Sequence, residues 1–385
     1  MLETNLNSSV DASLKNYKIS ALQFIYDTDY AHLNAIIKKD KGRTESNTVT
    51  EVLNIKLDVK LLNDPQFVIN HRTKQKEIVV QDINNKLYLI SNTGNILWKK
   101  QLNGPVLGRI EQIDIYKNGR LQLAFATPHR VYLIARNGKD VDGYPLLFND
   151  KITQPLSVFD YDKKKNYRLF VTQGKQVLLY DGKGKTVQGF KFSSAKGIIN
   201  HQPQHIRIAS KDYIIIKTNE VLHILSRRGK TRVSPKTDLT FSNQPVFEYD
   251  NGFATTTQDG HLMLIDDNGK VTSSTLLGQN TNLVTTSKTL VAQNDNKLKI
   301  KNNALELNFG SYTVPKLFYI NNKIYVSLTE LQSQKVLLYD SQAKLLPNFP
   351  VYGNAPIDLD NIDSDPALEF VTRGDDSTIL VYEIN

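Results

Sequence analysis

One repeating pattern constrains the fold of this 385-residue chain more than any other feature: a short apolar strand is followed by a polar turn that contains glycine. In five copies the glycine lies seven residues after the first strand residue. A hairpin turn needs a positive φ at such a position, and glycine adopts it without a Cβ clash. The copies begin at Leu87, Val131, Val177, Leu222 and Leu262, with their glycines at Gly94, Gly138, Gly184, Gly229 and Gly269.

Three weaker copies begin at Leu298, Val336 and Ile379, and Asn302 or Asn303 is expected to supply the positive φ in the first of them. Successive copies are about 36–46 residues apart, a spacing typical of four short strands per repeat. Further apolar runs rich in Val, Ile, Tyr and Phe precede each copy, as expected of strands buried on both faces. The sequence therefore predicts an all-β, closed β-propeller of about eight four-stranded blades, with seven blades as the alternative.

The last repeat supplies only three strands, so its fourth strand has to come from elsewhere in the chain. The apolar segment 52–59, directly ahead of the first blade, is the natural candidate. Pairing of 52–59 with 379–385 would close the ring and remove an exposed sheet edge. We therefore assign residues 52–385 to one propeller domain.

Residues 1–51 do not follow the repeat. Segments 20–27 and 31–39 are predicted to form a β-hairpin, and the polar stretch 39–48 is predicted to be a linker. This short N-terminal part is interpreted as the remnant of an upstream domain.

Composition excludes several classes of function. The chain has no cysteine, which rules out disulfides, thiolate metal sites and cysteine nucleophiles. Its first twenty residues lack the pattern of a signal peptide, and no apolar run is long enough to predict a membrane span.

The net charge of +9 permits attraction to polyanions. The tightest basic runs, 163–165 and 226–230, lie beside predicted turns and are interpreted as solvated turn tips, with a phosphate contact as the alternative.

One acidic segment has the spacing of a metal-binding loop. Asn361, Asp363 and Asp365 occupy alternate positions and Glu369 follows four residues later. Oxygen side chains in this order can wrap a hard cation such as calcium. The same residues also form hydrogen-bonded acidic turns without a metal, so both interpretations stay open.

Other apparent motifs carry less chemistry. His201 and His205 could pair on a metal, but two imidazoles without a third ligand are more often polar loop residues. The stretch 182–186 (GKGKT) lacks the first glycine of a phosphate-binding loop and is interpreted as a hairpin turn. Metalloprotease, nucleophile-elbow and dinucleotide-binding fingerprints are also missing. We therefore predict no catalytic residues, no organic cofactor and no enzymatic activity.

Several segments resemble known propeller families. The strand endings at 138–148 and 343–353 and the acidic loop at 361–371 resemble those of quinoprotein-like (PQQ-like) and FG-GAP-like propellers. The order of residues in 76–108 and 151–181 resembles the C-terminal propeller of large envelope proteins of Bacteroidetes. This resemblance implies a propeller fold and a periplasmic or cell-envelope location.

The resemblance does not extend to the family's catalysis. Catalytic quinoproteins hold pyrroloquinoline quinone with an adjacent cysteine pair, a stacking tryptophan and calcium. This chain has no cysteine, and its one tryptophan, Trp98, lies on a predicted outer strand. Some of the resembled envelope proteins carry a ribonuclease label, but the converging carboxylates on a mixed α/β frame that such cleavage needs are not found here. Neither activity is expected.

Fold alone does not fix function, so three hypotheses follow. The first is a non-catalytic protein-binding scaffold in a bacterial envelope assembly, with protein partners and neither nucleic acid nor a membrane span of its own. The second is a propeller that binds or hydrolyses a small molecule or saccharide with polar residues at its central funnel. The third is nucleic-acid binding, which would require the positive charge to gather on one surface.

Overall fold

The computed structural model describes residues 17–39, 48–236, 240–363 and 365–385. Every regular element within these residues is a β-strand, and they contain no helix that could span a membrane. Residues 48–384 form one compact unit whose strands build eight antiparallel sheets. The sheets are the blades of an eight-bladed β-propeller, which confirms the predicted fold class.

The N-terminal hairpin forms a unit of its own. Strand β1 (Tyr17–Asp27) pairs antiparallel with β2 (Tyr30–Lys39), as the sequence predicts, although both strands begin earlier than expected. The predicted linker at 39–48 lies almost entirely outside the described residues.

Blades 1 to 7 use their strands in chain order from the inside of the ring outwards, and blade 8 does so for its first three strands. The first strands are β4 (Gln66–Ile69), β8 (Leu107–Ile113), β12 (Ser157–Phe159), β15 (Gln204–Ile208), β19 (Phe247–Tyr249), β23 (Asn282–Thr285), β27 (Lys316–Ile320) and β31 (Asp358–Asp360). The second strands are β5 (Lys76–Gln81), β9 (Gln122–Thr127), β13 (Arg168–Gln173), β16 (Lys211–Lys217), β20 (Gly252–Thr256), β24 (Leu290–Asn294), β28 (Lys323–Glu330) and β32 (Leu368–Arg373). Blades are numbered 1 to 8 in this order.

The outer half of each blade completes the sheet. The third strands are β6 (Lys86–Ile90), β10 (Arg130–Ala135), β14 (Gln176–Asp181), β17 (Leu222–Leu225), β21 (His261–Ile265), β25 (Lys297–Ile300), β29 (Lys335–Asp340) and β33 (Thr378–Ile384). The fourth strands are β7 (Ile96–Gln101), β11 (Leu146–Leu147), β18 (Thr231–Val233), β22 (Val271–Thr275), β26 (Asn303–Glu306), β30 (Val351–Tyr352) and, in blade 8, β3 (Val49–Lys56). First strands of neighbouring blades contact one another, as β31 contacts β4 and β4 contacts β8, which places them at the centre of the ring.

Blade 8 closes the ring with strands from both ends of the propeller. β3 pairs with β33 from Val49 opposite Ile384 to Lys56 opposite Thr378, with one register shift between Glu51 and Leu53. The predicted closure is therefore confirmed, with the N-terminal strand starting three residues earlier than expected. Because these residues are more than 300 positions apart, blade 8 depends on a contact that no local sequence supplies.

Blade 3 has the weakest outer edge among the described sheets. Its fourth segment touches β14 only through two isolated bridges, between Gln176 and Ser194 and between Tyr180 and Thr186. Between those bridges the outer segment leaves the sheet.

Apolar side chains fill the spaces between blades and not the blades themselves. Along one strand, Ile78 packs toward blade 8 beside Val371, while the next residue, Val79, packs toward blade 2 beside Phe125. Successive strand residues point to opposite faces, so a strand covered on both sides is apolar at consecutive positions. Eight such clusters occur among the described residues, one at each junction of the ring.

The turn glycines behave as predicted, since all five have φ between 70° and 85°. The prediction that Asn302 or Asn303 supplies the positive φ in the sixth blade is wrong. β25 ends at Ile300 and β26 begins at Asn303, which leaves a two-residue turn, and the positive φ falls on Lys301 at 54°. In the seventh blade, Ala343 takes the glycine position with φ 63°.

Candidate functional site

The predicted acidic loop joins β31 to β32 in blade 8. Its Asn361 amide donates hydrogen bonds to the backbone carbonyls of Asp365 and of Ala367, the latter at 2.9 Å. These bonds fold the loop back on itself. Asn361, predicted as a metal ligand, thus serves in this structure to brace the loop.

The two loop aspartates are exposed and form short-range turns. The Asp363 Oδ1 atom accepts a hydrogen bond from the Asp365 backbone N–H at 3.1 Å, and Asp365 Oδ1 accepts one from the Ala367 N–H at 2.7 Å. These are the bonds expected of an acidic turn. Each uses one carboxylate oxygen and leaves the second oxygen unbonded among the described residues.

Glu369 differs from the aspartates because it is only 1% exposed. Its Oε2 atom accepts a hydrogen bond from the Ile362 backbone N–H at 2.6 Å, while its buried Oε1 atom has no hydrogen-bond partner among the described residues. Burial raises the pKa of Glu369 to about 7, and the carboxylates of Asp363, Asp365 and Glu383 act in the same direction. A buried carboxylate with a free oxygen is costly unless a cation or a proton compensates it.

The structure brings three of the four predicted site residues together. One carboxylate oxygen each from Asp363, Asp365 and Glu369 lies within 4.8 Å of the others. Hard oxygen donors of this kind suit calcium, and a bound cation would also satisfy the orphaned Glu369 oxygen. The residues present therefore fit the ion, and the acidic-turn bonds and the candidate metal cluster coexist in one loop.

The corresponding loops of blades 2 and 3 compensate their carboxylates internally. Asp114 accepts hydrogen bonds from the backbone of Asn118 and Gly119, and its Oδ2 atom lies 2.5 Å from the Lys165 ammonium. Burial alone would raise the pKa of Asp114, but the hydrogen bonds from Lys165, Gly119 and Asn118 hold it below its ordinary value. The Lys165 backbone N–H also binds Asp160, 2.7 Å away. A lysine here links two neighbouring blades.

Blade 1 shows a second way to compensate a buried acid. Glu77, at 3% exposure, receives the Arg136 guanidinium from blade 2, whose Nε atom lies 3.1 Å and 3.0 Å from the two carboxylate oxygens. The Asn70 amide donates a further bond at 3.0 Å. The sequence analysis did not predict this pair. A signal was available, because Arg136 lies two residues before the turn glycine of blade 2 and Arg227 lies at the same offset in blade 4.

The remaining sequence candidates lie at separate places in the fold. His201 Nε2 contacts the backbone carbonyl of Asn243, whereas His205 Nε2 lies 2.7 Å from Asp212, so the two imidazoles have separate partners. Trp98 lies on the outer strand β7, as predicted, and its indole N–H donates to the Arg136 carbonyl at 2.7 Å. The stretch 182–186 forms the turn after β14 and holds the positive-φ glycine.

No protein-family model matches the sequence, and no curated protein matches it. Solved β-propellers do resemble the structure. BamB from Moraxella catarrhalis is 11% identical, with a TM-score of 0.55 over 87% of this chain and 97% of that chain. BBS1N, solved in complex with ARL6DN, is 12% identical, with a TM-score of 0.52 over 88% and 97%. The C-terminal WD40 domain of Sif2 is 12% identical, with a TM-score of 0.59 over 88% and 99%. At these identities the likeness shows the fold alone.

Proposed function

We propose that this chain is a non-catalytic scaffold that binds another protein in an assembly of the bacterial cell envelope. The observation that carries the proposal is the fixed geometry of the loops and turns on one face of the ring, where neighbouring blades are joined by charge pairs. Charge pairs with a buried acid join neighbouring blades. Asp114 with Lys165 ties together the loops that follow β8 and β12, and Glu77 with Arg136 ties β5 to the turn that follows β10. A surface ordered before binding loses little conformational entropy when a partner docks, which favours protein recognition.

The fold supports the same proposal. BBS1N, a propeller of similar architecture, was solved in complex with another protein. The envelope location rests on the resemblance of 76–108 and 151–181 to envelope propellers. In this proposal the buried carboxylates stabilise the ring and perform no chemistry.

Affinity capture from the native cell, followed by reconstitution with the purified partner, tests the scaffold proposal. We expect a reproducible complex of defined stoichiometry that calorimetry detects with purified components. A clean monomer without a reproducible partner would contradict the proposal. So would a marked rise in melting temperature with a saccharide, nucleotide or quinone, because such a ligand selective for the folded state would favour the small-molecule hypothesis.

We further propose that the acidic loop of blade 8 binds a calcium ion as a structural brace. Asp363, Asp365 and Glu369 would supply the carboxylate oxygens, while Asn361 holds the loop in shape. The support is the orphaned oxygen of Glu369, which is buried beside two further carboxylates. Calcium would neutralise that charge in the blade that also closes the ring. Thermal unfolding with calcium and with a chelator tests this second proposal.

A further inference from the structure

The positive charge of the chain is concentrated in two blades. Blades 3 and 4, residues 157–233, contain 16 Lys and Arg against 5 Asp and Glu, whereas the rest of the chain contains 32 against 34. The net charge is therefore +11 in these two blades and −2 elsewhere. A field of one sign on a limited surface attracts an oppositely charged partner and orients it during encounter.

A cleft of about 580 Å³ lies within this basic region, between the outer segment of blade 3 and the turn that follows β17 in blade 4. The backbone N–H of Lys191 donates to the Arg228 carbonyl at 2.9 Å, which fixes the two sides together. Five basic side chains and one acidic side chain line the cleft, namely Arg168, Lys191, Arg227, Arg228, Lys230 and Asp162.

The internal acids leave most of this charge uncompensated. Arg227 is occupied, because its guanidinium lies 2.8 Å from Asp162 and 2.5 Å from Asp212. Lys191, Arg228 and Lys230 are exposed and form no ion pair with any acid in the described part of the chain. Three cations thus face solvent beside one cleft.

The cleft exists because the outer edge of blade 3 is interrupted. Between its two isolated bridges the segment that carries Gln188 and Gly189 leaves the sheet, and these residues line the opening. Leu179, Val187 and Phe190 add an apolar wall beside the cations. Such a surface combines apolar contact with charge recognition.

We infer that this basic cleft binds an extended acidic segment of a protein partner, an inference that rests on the proposed scaffold function. Alternating acidic and apolar side chains would match the cations and the apolar wall together. A single nucleic-acid strand fits less well, because it needs free aromatic faces for its bases. One face of the Tyr161 ring is covered by the Arg227 guanidinium, which lies 5.0 Å from the ring centroid.

Fluorescence anisotropy with a labelled peptide of alternating glutamate and valine tests the inference on the full chain. The double variant Lys191→Glu/Lys230→Glu reverses two cleft charges. The matched control Lys288→Glu/Lys344→Glu makes the same charge change at exposed lysines of blades 6 and 7. We expect the cleft variant to weaken binding at least about tenfold and the control less than about twofold, with binding of the wild type falling as salt rises. A peptide with glutamine in place of glutamate should not bind.

Equal loss in both variants, or no binding of the glutamate peptide, would overturn the inference. Stronger, variant-sensitive binding to single-stranded oligothymidylate or to phosphatidylglycerol vesicles would also overturn it and assign the cleft to phosphate-bearing partners. If the partner captured by the wild type binds the cleft variant equally well, the scaffold proposal stands and the cleft assignment falls.

Discussion

Blades 1 and 8 place a glutamate at the same position but compensate its charge differently. Glu77 is the second residue of the six-residue strand β5, and Glu369 is the second residue of the six-residue strand β32. Both are buried. Glu77 is held by Arg136 and Asn70. In the described part of the chain, Glu369 has one backbone donor and one oxygen without a partner.

The difference originates in the neighbouring turn. Arg136 stands two residues before the turn glycine of blade 2, and the same offset in blade 1 is occupied by Asn92. The Asn92 amide donates instead to Gln75 at 3.2 Å. Blade 8 therefore faces a neighbour without the arginine, and it is the blade that carries two further loop carboxylates. This difference supports the proposal that a bound cation takes the place of the arginine at the closing blade.

Removing the closing strand β3 should destabilise blade 8 more than any other change. Deletion of residues 1–60 removes β3, so that β33 becomes an open edge of blade 8. We expect loss of soluble, cooperatively folding protein. Deletion of residues 1–48 keeps β3. Because almost all of the removed residues belong to a separate unit, the melting temperature of the propeller should stay within about 2 °C of that of the full chain. Equal behaviour of the two deletions in solubility assays and calorimetry would contradict the closure.

The substitution Arg136→Ala should leave Glu77 of blade 1 without an arginine partner, as Glu369 is in blade 8. Blade 1 lacks the two loop aspartates that accompany Glu369. The variant leaves Glu77 buried and without a cation, which should cost about 2–4 kcal/mol of unfolding free energy, measured by urea denaturation. Adding Glu77→Gln in the double variant should restore part of the loss because no charge stays buried. Calcium should not rescue Arg136→Ala, because the loop 71–75 contains no acid. A neutral single substitution would show that the pair is not structural.

The pKa of Glu369 predicts a pH dependence in the presence of a chelator. Its pKa is raised from 4.5 to about 7 in the folded state, so the folded protein binds the proton more tightly than the unfolded chain does. Stability relative to Glu369→Gln should be greatest below pH 4.5 and fall by about 2–3 kcal/mol as the pH rises to 7. Parallel pH profiles of the two proteins in denaturant titrations would refute the shifted pKa.

The sequence predicts the parts of this structure that repeat. Strand runs, turn glycines at a fixed offset and the missing fourth strand indicate eight blades and their closure. Charge contacts between blades were not predictable in the same way, because Glu77 and Arg136 are 59 residues apart and meet only through the ring geometry. The basic run 226–230 was recognised in the sequence but interpreted as a solvated turn tip. The cleft itself was not predictable, because Arg168 and Lys191 join that run only when two blades stand side by side. Glu369 was proposed from spacing, but its burial and free oxygen follow from packing.

Thermal unfolding of the wild type, Asp365→Asn and Asn92→Arg, each in calcium and in chelator, tests the replacement of arginine by a cation most directly. The wild type should melt about 3–6 °C higher at saturating calcium, and Asp365→Asn should lose most of that shift. Asn92→Arg should place a guanidinium beside Glu369, melt above the wild type in chelator and respond little to calcium. A wild type whose melting temperature is the same with and without calcium, together with an Asn92→Arg variant no more stable than wild type, would contradict the account.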